Sequence, residues 1–129
     1  MKKIILSLLM IFSSIGVFSQ SYYRSTLYSW SYVINNQYSW SNWEKSDIPI
    51  IVDIPNYVEI KSKAKQFYTI TSESSGIQND NNGGQSISFN FTDQDGVKGV
   101  ITFRVDPDNN NQIYIYYSDI AWIYCVAKE

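Results

Sequence analysis

Downstream of residue 19, apolar and polar positions alternate with a period of two, and no stretch keeps an apolar 3.6-residue period for three turns. The pattern predicts strands throughout. The segment Ser25 to Trp43 contains a near-repeat: YSWS at Tyr28–Ser31 returns ten residues later at Tyr38–Ser41, with Asn35 and Asn36 between. Two strands joined by an Asn-Asn turn fit this spacing. In each strand the aromatics, Tyr28, Trp30 and Tyr32 and then Tyr38 and Trp40, occupy one face and serines the other, which predicts a hairpin with one heavy apolar face and one small polar face. Ile50, Val52 and Ile54 form the next strand, which Pro49 and Pro55 place at an edge or end sharply on both sides. Pro55 and Asn56 turn into Tyr57–Lys61, and Gln66–Thr71 follows. The polar stretch Ser72–Gly84, thirteen residues with only Ile77 apolar, exceeds an ordinary hairpin connection and is expected to be a mobile or functional loop.

The next hairpin permits a register argument. A two-residue Asp95-Gly96 loop would split the apolar sets Ile87, Phe89, Phe91 and Ile101, Phe103, Val105 across both faces. A three-residue loop, Gln94–Gly96, pairs Phe89 with Ile101 and Ile87 with Phe103, and puts Gly96 where positive φ is required. The second register is expected. Asp106–Asn111 makes a further turn, Gln112–Ser118 a strand, and Ile120–Ala127 a last strand that is apolar on both faces and therefore central or barrel-closing.

Together these elements predict an all-β fold, a single antiparallel meander of about eight strands that closes into a barrel or flattens into a two-layer sandwich. The plan is similar to that of small exported β-barrels, lipocalin-like domains included. No motif assigns the chain to one family.

Lys2 and Lys3, followed by an apolar run from Ile4 to Phe18 that serines and Gly16 interrupt, read as a secretory signal peptide with cleavage after Ser19. The run is too short for a permanent membrane span. Residues 1–19 are thus expected to be removed and residues 20–129 to form one domain. The first mature residues, Gln20 and Ser21, offer no cysteine for lipidation. The expected product is soluble, exported to the periplasm or the medium, and monomeric, with no membrane insertion after cleavage. Loss of Lys2 and Lys3 leaves 8 basic and 12 acidic groups, a net charge of −4, which argues against nucleic acid as a partner. The one basic concentration, Lys61, Lys63 and Lys65, reads as a solvated edge or a small anion-binding stripe.

Chemistry is constrained mainly by what is missing. The chain has no histidine, which removes His-based acid/base catalysis and the commonest transition-metal ligand. Its one cysteine, Cys125, cannot form an internal disulfide and reads as a structural thiol. Asp106, Asp108 and Asn110 have the opening spacing of a calcium loop, but Asn111 and Tyr117 stand where glycine and glutamate are needed. No spacing marks any two of Glu44, Asp47, Asp53, Glu59 and Asp119 as a catalytic pair. The expectation is a protein that is not an enzyme and has neither metal nor cofactor.

Aromatic residues make up 16% of the chain, and six lie between Tyr28 and Trp43. Core packing is the first expectation for most of these rings, because a domain of this size needs them inside. The functional alternative is a binding surface formed by Tyr28, Trp30, Tyr38, Trp40 and Trp43, with Trp43 at a rim, joined by Tyr114 and Tyr116 from a strand that carries bulky residues on both faces. This composition suits a binding module for a small hydrophobic or carbohydrate ligand. The alternative is an envelope or secreted protein-interaction role, such as an inhibitor, immunity protein or surface-assembly component.

Overall fold

The computed structural model describes residues 20–129 apart from Asn109; the expected signal peptide lies outside the described residues. Among the described residues nine strands run in chain order: β1 (Ser21–Ile34), β2 (Gln37–Tyr38), β3 (Glu44–Asp53), β4 (Tyr57–Ile60), β5 (Gln66–Asn79), β6 (Gln85–Asp93), β7 (Lys98–Val105), β8 (Asn111–Tyr116) and β9 (Ile120–Lys128). The sheet order is β2-β1-β3-β4-β5-β6-β7-β8-β9, every pairing is antiparallel, and β9 also pairs with β1. Eight strands therefore close a barrel, with β2 an extra short strand on β1. Closure decides barrel over sandwich, and β9 is the closing strand that its two apolar faces predict.

The period-two pattern places the core. Phe89 and Phe91 of β6, Ile101, Phe103 and Val105 of β7, and Ile113 and Ile115 of β8 all point inward and are buried. Val58 and Ile60 of β4 and Ile50 and Val52 of β3 complete the filling with Tyr23, Tyr68, Tyr124 and Val126. Their alternates on β6 and β7 face outward and, Val100 apart, are polar; Ser88 and Thr102 join hydroxyls at 2.7 Å, and Asn90 donates to Ser72 at 3.0 Å. The β6–β7 register is the expected one, Phe89 opposite Ile101 and Ile87 opposite Phe103, and Gly96 takes φ +81°.

Two local expectations are corrected. Pro49 does not bound an edge strand: it lies within β3, between β1 and β4. In an antiparallel strand the N and C=O of one residue point to the same side. The Pro49 carbonyl accepts from Lys61 just past the end of β4, so its missing N–H faces a position where the ladder has already ended. The expected loop Ser72–Gly84 is strand as far as Asn79. Three register irregularities between Ile70 and Gln78 absorb extra residues of β5 against β6, which is why its apolar alternation disappears while its pairing persists. The connection that remains is short and capped by Asp80, whose Oδ1 accepts the amides of Asn82 and Gly84 at 2.9 Å.

A bulge in β1 between Ser25 and Leu27 shifts the inward parity of that strand. Before it, Ser21, Tyr23 and Ser25 are buried; after it, Tyr28 packs on the core opposite Tyr124. β3 accompanies β1 only to Tyr28, whereas β9 accompanies it to Tyr32. The far end of β1 thus projects from the barrel mouth as an arm.

Candidate functional site

The arm turns back at Asn35 and Asn36, both at positive φ (53° and 61°), the paired left-handed geometry of a two-residue hairpin that asparagine tolerates. That turn sets Val33 opposite Tyr38 and Ile34 opposite Gln37. Even-numbered positions of one strand consequently share a face with odd-numbered positions of the other, and the two aromatic sets separate. Trp30, Tyr32 and Ile34 continue the barrel-side face, while Tyr38 lies on the opposite face. The expectation of a single greasy hairpin face is corrected for this reason.

Past Tyr38 the returning chain leaves the regular ladder, and serines take over its hydrogen bonding. Ser31 Oγ accepts the Ser39 amide at 2.7 Å, Ser29 Oγ donates to the Ser41 carbonyl at 2.8 Å, and the Trp30 amide donates to Ser41 Oγ at 3.1 Å. Ser29 and Ser31 are buried by this arrangement. Ser29, Ser31 and Ser41 of the YSWS repeat are therefore structural.

Two ring clusters result. On the barrel side, Tyr28 lies 6.4 Å from Tyr124 and 6.5 Å from Trp122, and Trp30 lies 6.4 Å from Trp122 and meets Tyr32 edge-on at 5.1 Å. On the outer side, Tyr38 and Trp40 are parallel at 5.6 Å, Tyr38 meets Tyr116 edge-on at 6.2 Å, and Tyr116 is parallel to Tyr114 at 5.9 Å. Ala121, buried, stands between Ser31 and Tyr116 in the register. The second bulky face of β8 is thus partly covered by the returning hairpin.

Of the seven expected site residues, the structure brings Tyr38, Trp40, Tyr114 and Tyr116 into one row, and Tyr28 and Trp30 into the other cluster. Trp43 belongs to neither: it lines a separate outer depression with Leu27 and Cys125 and is half-exposed. Core packing, the first expectation for most hairpin rings, is corrected. Tyr28 and Trp30 are half-buried, and Tyr32, Tyr38, Trp40 and Trp43 are exposed, because the arm outruns the strands that would have enclosed it.

The hairpin holds a concave cleft of about 490 Å³. Trp30, Tyr32, Ile34, Tyr38 and Trp40 supply its apolar lining, and Gln37, Ser39 and Ser41 its polar groups. Three of its rings remain substantially open, with Tyr32 59%, Tyr38 47% and Trp40 39% exposed. The outer row ends in a polar anchor: the Tyr114 hydroxyl donates to Gln112 Oε1 at 3.0 Å, which also accepts from Arg104 at 3.3 Å. Burial pushes the Tyr114 and Tyr116 hydroxyls above the usual phenol range, so both stay neutral donors at physiological pH.

No protein-family model, curated protein or solved structure matches this chain. Asp106 Oδ1 accepts the amides of Asp108 and Asn110, and Asp93 Oδ1 those of Asp95 and Val97, as Asp80 does in its own loop. Asp80, Asp93 and Asp106 are loop caps spaced thirteen residues apart, a recurrence visible in the sequence. Arg24 engages Asp47 at 2.8 Å, Lys65 engages Glu59 at 2.9 Å, and the Glu44 carboxylate pushes the Tyr28 hydroxyl above the usual phenol range. Among the described residues no group of three His, Cys, Asp or Glu side chains could hold a metal ion. Burial raises the Cys125 thiol above its usual value despite a bond from Gln112, which keeps it protonated.

Sequence reasoning missed Trp122 and Ile34. Ile34 had a local signal, since two-residue turn geometry alone puts it on the Trp30 face. Trp122 had none: it meets Trp30 only because β9 closes onto β1.

Proposed function

We propose that this protein is an exported, non-enzymatic binding module whose hairpin cleft takes a carbohydrate-like ligand. The observation that carries the reading is the mixture in one 490 Å³ cleft of open tyrosine and tryptophan rings with the Ser39 hydroxyl and a glutamine amide. Sugars present apolar ring faces and hydroxyl edges together, and such a lining answers both. A purely hydrophobic ligand would leave the Gln37 amide and the Ser39 hydroxyl without partners. Side chains occupy the barrel interior, so a ligand meets the mouth and outer surface. Among the described residues no helix is long and apolar enough to cross a membrane. The sheet is apolar inside, and the outside of β6 and β7 is polar apart from Val100, the reverse of a membrane-spanning barrel, which supports a water-facing module.

The test is a titration of the protein with a panel of soluble oligosaccharides, followed by tryptophan fluorescence. Trp40→Ala and Tyr38→Ala are expected to weaken a binding sugar by about tenfold or more each, as central aromatic contacts do, while melting temperature stays near that of the parent. Undiminished binding by the double variant would refute the reading.

A protein partner is the second reading, and one observation favours it: Ile34 is 68% exposed at the projecting tip beside Tyr32. A co-purifying protein that Ile34→Lys releases, together with no sugar binding, would establish it.

A further inference from the structure

We propose a second ligand site at the same barrel mouth, an apolar depression that takes a small free monocarboxylate with its acid group at Lys63. The proposal does not rest on the hairpin reading. The depression measures about 230 Å³. Tyr28, Trp122 and Tyr124 form one wall and Ile48 another, and Lys63 and Ala64 of the β4–β5 connection lie at the rim. The Trp30–Trp122 contact stands between it and the hairpin cleft.

Charge selects the ligand class. Lys63 is the one lining residue with a formal charge. Its neighbour Lys65 is held by Glu59 at 2.9 Å, and Glu44, which acts on the Tyr28 hydroxyl, is not part of the lining. Gln66 is already committed, since its Oε1 accepts the Tyr68 hydroxyl at 2.5 Å and its Nε2 donates to Ser62 at 3.5 Å. What remains is a ring-lined apolar wall with an exposed ammonium at its edge. An anion with an apolar body matches that arrangement; a sugar or a cation does not.

Size narrows it further. At about 30 Å³ per water-sized group, the depression holds about eight methylene-sized groups. A longer chain cannot continue into the barrel, whose interior the buried side chains of Tyr124, Tyr68 and Ile113 help to fill. A medium-chain or simple aryl carboxylate fits, and a long-chain fatty acid does not.

Calorimetric titration of the mature protein with sodium octanoate, octylammonium chloride and 1-octanol tests this. Octanoate is expected to bind about tenfold or more tighter than either comparator, as a charge-assisted contact requires. Lys63→Gln should erase that preference, Lys61→Gln should leave it, and Ala64→Trp should abolish binding by filling the depression, all with unchanged melting temperature. Trp40→Ala should leave octanoate binding intact. Equal affinity for octanol, a preference that survives Lys63→Gln, or loss of binding in Trp40→Ala would each overturn the proposal. So would cosedimentation with phosphatidylglycerol vesicles that octanoate fails to compete, which would assign the lysine rim to a membrane surface.

Discussion

Replacing Gly99 by alanine tests how tightly β7 is held against β6 and β8. A β-carbon at Gly99 would lie 2.4 Å from the Tyr116 carbonyl oxygen and 2.5 Å from Phe91 Cζ. Neither neighbour can yield cheaply. Tyr116 is paired with both Val100 and Ala121, and Phe91 is buried between Tyr68 at 4.8 Å and Tyr117 at 5.4 Å. Reduced freedom of the unfolded chain would by itself favour alanine by about 0.4 to 1 kcal/mol. Overpacking a filled interior costs about 1 to 3 kcal/mol, and a clash against paired backbone belongs at the upper end. The net expectation is a loss of about 2 kcal/mol, read as a lower urea midpoint and a melting temperature lower by about 8 °C for a domain of this size. Gly76→Ala is the matched control, because nothing lies within 4 Å of its added carbon, and it should be neutral or slightly stabilising. Urea unfolding followed by tryptophan fluorescence reads both variants. A Gly99→Ala protein as stable as the parent, or a Gly76→Ala protein equally weakened, would refute the packing argument.

Stability should fall in acid through two loop caps. The Arg104 guanidinium, with the Gly84 and Asn82 amides, holds the Asp80 carboxyl below its ordinary value. Burial pulls Asp93 upward, but the Tyr117 hydroxyl and the Val97 and Asp95 amides outweigh it and hold that carboxyl low as well. A carboxyl lowered in the folded state contributes fully above its unfolded pKa of about 3.9 and loses that contribution as pH drops through the folded value. The urea midpoint should therefore decline below about pH 4, and more shallowly in Asp93→Asn. Ser31→Ala removes the acceptor for the Ser39 amide at a buried position and should cost about 1 to 3 kcal/mol, measured by the same unfolding assay. An unchanged midpoint would show that water replaces the hydroxyl.

Much of this architecture is local in origin. Alternation of period two, Asn35-Asn36 at a two-residue turn and Gly96 at a three-residue one were sufficient to predict strands, two hairpin turns and the Phe89–Ile101 register, because each depends on residues close together in the chain. Even the separation of Tyr38 from Trp30 follows from turn length and parity. Other features depended on contacts distant in sequence. Closure of β9 onto β1 brings Trp122 to Trp30 and Tyr28 to Tyr124 across about ninety residues, and no local pattern encodes that meeting. The bulges of β5 keep a polar segment paired where its composition reads as loop. The hairpin rings stay open although their hydrophobicity favours burial, because β3 leaves β1 at Tyr28 while the arm runs on to Ile34. Side-chain periodicity states which face a residue occupies, whereas burial depends on whether another strand extends far enough to cover that face.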